Sequence, residues 1–186
     1  MIRLKDILYE IGDASAKPFA FKKTDGDSAE EYKGNDMTEL IYEFTTDKQT
    51  KYTVSIDLDV MRTPGTIQSE VNFGARTANL QLHTLDDTNL GEQYRVMSTI
   101  KDIVFDFIEE WQEHWYIHNL EVAPIKSTDG DDDDTDSMDG VDSRRGKLYL
   151  AYIKKNLPKL SKPYGVRVFN DYFLIQPKFE NPNDQA

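Results

Sequence analysis

Residues Lys51 to Val60 read KYTVSIDLDV, and their alternation decides how the chain folds. Tyr52, Val54, Ile56, Leu58 and Val60 share one side, and Thr53, Ser55, Asp57 and Asp59 share the other. Successive side chains of a strand leave opposite faces, so this pattern predicts a strand buried on one face only. The run Glu39 to Thr45 (ELIYEFT) alternates in the same way, with Leu40, Tyr42 and Phe44 together. Thr46-Asp47-Lys48-Gln49 separates the two runs, which predicts an antiparallel hairpin. Pro64-Gly65 is a turn, and Ile67 to Phe73 supplies a third strand with Val71 and Phe73 inward.

A sheet with one apolar face needs a cover. Tyr94 to Trp115 provides it: Met97, Ile100, Val104, Phe107, Ile108, Trp111 and Trp115 recur at helical spacing, opposite Lys101, Asp102, Asp106, Glu109 and Glu113. Leu4, Ile7, Leu8 and Ile11, followed by Gly12, predict a short amphipathic helix over Ile2 to Ile11. Lys17-Pro18 then imposes an extended segment through Phe19 and Phe21, and Thr24 to Thr38 has the polar composition of a loop. Leu80 and Leu82 alternate as in a short edge strand, and Asn119 to Ala123 is a short strand ended by Pro124. Ser143 is an N-cap for a helix from Arg144 to Leu157, stopped by Pro158, with Leu148, Tyr149, Tyr152 and Ile153 on its inner face. Val166 to Phe169 and Tyr172 to Ile175 form a hairpin about Asn170-Asp171.

The expected order is α-β-β-β-α-β-α-β-β. This is an α+β fold, a two-layer sandwich in which an antiparallel β-meander packs against two amphipathic helices. Residues 1–180 make one domain with an Asp-rich loop inserted at 128–142, and residues 181–186 are a polar tail. The chain of 186 residues is of single-domain size, and nine Phe, ten Tyr and two Trp suffice for a core.

The tract Asp129 to Asp142 reads DGDDDDTDSMDGVD. Its eight aspartates (Asp129, Asp131, Asp132, Asp133, Asp134, Asp136, Asp139 and Asp142) meet no lysine or arginine, in a chain of net charge −12. Carboxylates so crowded repel one another and stay hydrated, so the tract is expected to be a solvated loop and the candidate binding element. An EF-hand register from Asp131 would use Asp133, Thr135, Asp139 and Asp142, but Asp136 stands where that loop needs glycine, and a strand precedes it rather than a helix. Arg144 and Arg145 follow the tract, either as an anchor for its end or as an anion-binding helix start. Lys154, Lys155, Lys159 and Lys162 make a small basic strip beside Tyr152 and Tyr164, with too few charges to indicate nucleic acid.

Other chemistries have weaker support. Asp57 and Asp59 lie two residues apart on one strand face, a spacing that some metal-dependent transferases use, and Glu43 or Glu70 would complete such a site. An exposed sheet face also wants polar residues at this period. Glu110, His114 and His118 would share a side and hold zinc only if the helix ran past Trp115, and no HExxH pattern is present. No serine sits in a Gly-x-Ser-x-Gly elbow. The absence of cysteine excludes disulfides, thiolate metal sites and cysteine nucleophiles from this chain. No cofactor is implied. A pI near 4.6 argues against direct nucleic-acid binding through phosphates. MIRLKDILYEIGD carries charges every few residues, unlike a signal peptide or a membrane span, so a soluble protein with no membrane partner is expected.

Three phrases carry a resemblance: MIRLKDILYEIGDASAKPF, STIKDIVFDFIEEW and SRRGKLYLAYIKKNLP. Each is similar to small uncharacterised proteins of large tailed bacteriophages, of the T4-like and marine groups, and together they span most of the chain in order. The resemblance implies an origin in an infected bacterium, in the host cytoplasm or the virion. It brings no catalytic residue with it. The leading expectation is therefore a non-enzymatic phage accessory protein that binds a host or phage protein. The alternatives are an acidic nucleic-acid mimic that inhibits a basic-groove protein of the host, and a metal-dependent enzyme built on Asp57 and Asp59. A virion component would show an apolar assembly patch, for which Trp115 and Tyr116 are the candidates.

Overall fold

The computed structural model describes residues 16–34, 37–76, 82–83, 92–122, 144–169 and 172–182, of which 74–76, 82–83, 93 and 144–149 are described by their backbone alone. The helix expected over Ile2 to Ile11 and the Asp-rich tract lie outside the described residues.

The chain is a mixed α+β fold. Its elements are β1 (Phe21–Asp25), β2 (Thr38–Thr45), β3 (Lys51–Val60), β4 (Thr66–Arg76), β5 (Leu82–His83), α1 (Gln93–Trp111), β6 (Tyr116–Val122), α2 (Arg144–Asn156), a 3-10 turn (Leu157–Lys159), β7 (Tyr164–Val168) and β8 (Phe173–Pro177). One eight-stranded sheet has the order β1-β2-β3-β4-β6-β8-β7, with β5 pairing β4 off this path.

The predicted hairpin forms as β2 and β3, with Leu40 opposite Ile56 and Tyr42 opposite Val54. Tyr52, Val54, Ile56 and Leu58 are buried, and the intervening residues are not. Val71 and Phe73 of β4 face the same core. Against them pack Ile103, Val104, Phe107, Ile108 and Trp111 of α1 and Ile153 of α2. The sheet and both helices share this one core.

The arrangement departs from the expected meander in three ways. First, β6 lies parallel to β4, with Val71 opposite Val122. Parallel neighbours need a long crossover, and here the connection from β4 to β6 contains both β5, antiparallel to β4, and α1. At about 1.5 Å per residue the 19 residues of α1 span roughly 28 Å. Second, β8 sits between β6 and β7, so the C-terminal hairpin joins the sheet by its second strand. Third, Phe21–Asp25 pairs with β2 as an edge strand and Leu82–His83 pairs with β4, two strands that the expected order omits.

Residues Thr24 to Thr38 are also more than a polar loop. Ala29 and Tyr32 are buried, and Tyr32 packs between Trp111 and Trp115 with ring centroids 5.4 and 5.3 Å away. Gly26, at φ +94°, starts this turn where a Cβ would lie 2.5 Å from the Glu39 carbonyl oxygen. This segment and the chain before β1 cover the flank of α1: the Phe19 amide donates to Thr99 Oγ1 at 2.9 Å, the Ala29 amide to Glu110 Oε1 at 3.1 Å, and Trp115 Nε1 to the Ala29 carbonyl at 3.2 Å. Val96 and Ile103, which share the side of α1 that carries Thr99 and Glu110, are buried beyond the predicted stripe, and so is Phe105 on another side. Trp115 lies past the end of α1, half-buried beside Tyr32 rather than on a helix face.

Candidate functional site

The sheet has a second face, and alternation fills it with polar residues. The register places Glu39 of β2 opposite Asp57 of β3, Asp57 opposite Glu70 of β4, and Glu70 opposite Glu121 of β6. The same row continues through Leu174 of β8 to Arg167 of β7. Four carboxylates thus stand side by side on four neighbouring strands, with strand spacing of about 4.8 Å. None of the six residues in the row is buried.

Flanking positions hold amides. Asp59 accepts from Gln68 Nε2 at 3.0 Å, and Asp57 accepts from Asn72 Nδ2 at 3.3 Å. Asn119 lies opposite Gln68 and continues the amide row onto β6. Partial burial pushes the Glu121 carboxyl above its usual value, and the nearby charge of Glu70 pushes it the same way. Opposed like charges in a sheet are destabilising, so this row is unfavourable for the isolated fold.

Asp57 and Asp59 do occupy one strand face. Of the two partners weighed for a metal site, Glu70 is directly opposite Asp57, whereas Glu43 faces Thr53, four residues further along β3. Among the described residues, no group of three or more His, Asp or Glu is placed to hold a metal ion. Glu110, His114 and His118 do not come together on a helix: α1 ends at Trp111, His114 lies in the following turn and His118 on β6. His118 is exposed where the β4–β6 register shifts by one residue, and Glu110 holds the Ala29 amide. Arg144 and Arg145 open α2, with their side chains outside the described set.

Neither aromatic nominated for an assembly patch is laid bare. Trp115 packs on Tyr32, and the Tyr116 hydroxyl donates to the Phe179 carbonyl at 3.1 Å while its ring meets Phe179 edge-on. The exposed large apolar side chains among the described residues are Met37, Val168 and Phe169. Among these residues, no helix is long and apolar enough to cross a membrane.

Glu39 and Glu121 were missed as site residues. Glu39 carried a readable signal, since it shares the outward phase of the ELIYEFT alternation. Glu121 carried none, because its place in the row depends on β6 lying beside β4. Compared with protein-family models, curated proteins and solved structures, the chain matches none.

Proposed function

We propose that the protein is a non-enzymatic accessory protein of a large tailed bacteriophage and that it binds a basic protein partner through the carboxylate row on its sheet. The observation that carries the reading is the register: Glu39, Asp57, Glu70 and Glu121 stand opposite one another on four strands. Such a row weakens the free protein, and a cationic surface laid across it would relieve the repulsion. The flanking amides Gln68, Asn72 and Asn119 supply donors and acceptors for a polar interface. The phage origin rests on the three resembling phrases, and the partner is a host or phage protein, met in the host cytoplasm or in the virion. The eight carboxylates of Asp129 to Asp142 would draw the same kind of partner and steer its approach.

One observation favours a second reading, in which the partner's basic surface is a groove that normally holds nucleic acid. A mimic of phosphates presents its carboxylates on an ordered surface, and the row meets that requirement where a solvated loop does not.

The test captures partners from infected-cell lysate with three forms of the tagged protein. These are the wild type, a variant with Glu39→Gln, Asp57→Asn, Glu70→Gln and Glu121→Gln, and a chain lacking residues 129–139. The expected result is a basic protein that the wild type and the shortened chain hold, that modest salt elutes, and that the four-fold variant loses. Retention by the four-fold variant overturns the role of the sheet face, and loss only with the tract moves the function there. Duplex DNA that displaces the partner supports the mimic reading, and a complex indifferent to DNA removes it.

A further inference from the structure

On the other side of the molecule, the end of α2, the 3-10 turn and the start of β7 enclose a cleft of about 600 Å³. Its walls are mixed in an uneven way. Leu157, Leu160 and Val166 give it apolar walls, and Lys154, Lys162 and Lys178 line it from three different parts of the chain. In a protein of net charge −12 this is a local reversal of sign.

The lysines have structural duties to weigh first. Lys154 lies in the last turn of α2, where a cation suits the helix dipole. Lys162 Nζ donates to the Gln112 carbonyl at 2.8 Å and so caps the end of α1. The dipole does not account for Lys178, which follows β8 and whose stem crosses Gly165. Its Cε lies 2.6 Å from where a Cβ on residue 165 would stand, so glycine is what lets the lysine lie there. The Lys178 amide donates to the Pro163 carbonyl at 2.9 Å, but the ammonium groups of Lys154 and Lys178 have no hydrogen-bond or ion-pair partner among the described residues. Glu109, whose carboxylate meets the lining residue Ser161, is engaged by the Ser161 amide and hydroxyl, each at 2.6 Å, and by Gln112 Nε2.

An apolar lining with unpaired cations at its mouth fits one ligand chemistry, and the volume is that of an ordinary small-molecule site. We infer that this cleft binds a small organic anion: its apolar body packs on Leu157, Leu160 and Val166, and its sulfonate, phosphate or carboxylate group sits between Lys154 and Lys178. Lys162, held by Gln112, adds positive potential without needing to move.

The probe is anilinonaphthalene sulfonate, with uncharged phenylnaphthylamine as its control. The wild-type protein should give saturable fluorescence enhancement with the sulfonate at a stoichiometry of about one, weakened by salt. Lys154→Gln with Lys178→Gln should weaken sulfonate binding by about tenfold or more and leave the neutral compound unchanged. Lys154→Arg with Lys178→Arg should retain it. Equal loss for both compounds, or none for either, overturns the inference, as does binding without saturation. A second measurement needs no variant. Amide shifts in the wild-type NMR spectrum on titration with the sulfonate should cluster on residues 157–166 and 178, and a cluster elsewhere overturns the assignment.

Discussion

On β3, Ile56 and Leu58 are fully buried, whereas Asp57 between them belongs to a row of four carboxylates. The same strands build both faces, so backbone pairing is common to the two and only the side chains differ. The inner face follows packing rules: Trp111, Phe107 and Ile103 close over it with no exposure. The outer face does the opposite of what stability asks, setting like charges against one another where a lysine would serve better. This contrast separates residues that hold the fold from residues that lower its stability, and the latter are where a binding role is sought.

The contrast can be broken or sharpened by substitution, and the largest effect belongs to the inner face. Trp111→Ala removes a fully buried indole against which Tyr32 and Phe107 pack. It should lower the unfolding free energy by about 3–5 kcal/mol, read from urea or guanidinium midpoints. A loss as small as a surface substitution would mean that this face is not the core. Thr99→Val comes next. Thr99 Oγ1 accepts from the Phe19 amide and donates to the Arg95 carbonyl at 2.7 Å. Valine would leave the buried amide without its acceptor, and the expected cost is about 1–3 kcal/mol. Amide exchange should quicken at Phe19 before it does on β3.

The inner face also contains a polar misfit. The hydroxyl of Ser69, opposite Leu58 and Leu120, is buried without a hydrogen-bond partner among the described residues. Ser69→Ala should therefore be neutral or stabilising by up to about 1 kcal/mol, and a clear loss of thermal stability would reveal a partner for that hydroxyl.

The smallest effect tests the outer face. Burial first, and Glu70 second, raise the Glu121 carboxyl above its ordinary value of 4.5. The folded protein then holds this proton more tightly than the unfolded chain does. The resulting stabilisation is complete below the unfolded value and is lost as pH rises through the folded one. At neutral pH the charged group is a net burden. Glu121→Gln should accordingly raise stability there by about 0.2–1 kcal/mol, with the gain fading in acid and in high salt. A variant less stable at neutral pH than the wild type would mean that the row is not repulsive.

Legibility followed the range of the interactions. The β2–β3 hairpin was readable because its register is set within about twenty residues by alternation and a short turn. α1 was readable from the spacing of Met97, Ile100, Val104, Phe107, Ile108 and Trp111. The burial of Ala29 and Tyr32 was not readable, since a polar segment acquires buried members only when a distant helix passes beside it. The parallel placement of β6 had a signal in the strand-helix-strand order, and the meander reading passed over it. Of the acidic row, Asp57 and Glu70 could be nominated from sequence, but a row needs lateral neighbours, and those come from chain segments far apart.

The sequence by itself determined which side chains share a face, because the two-residue period of a strand and the 3.6-residue period of a helix are properties of the backbone. It determined the acidity of the chain and the absence of thiol chemistry in it. Only the tertiary structure decided which strands lie beside which. Strand pairing joins residues across loops and helices, and no local period encodes the partner. That choice aligned Glu39, Asp57, Glu70 and Glu121 in one row and brought Lys154, Lys162 and Lys178 to one cleft.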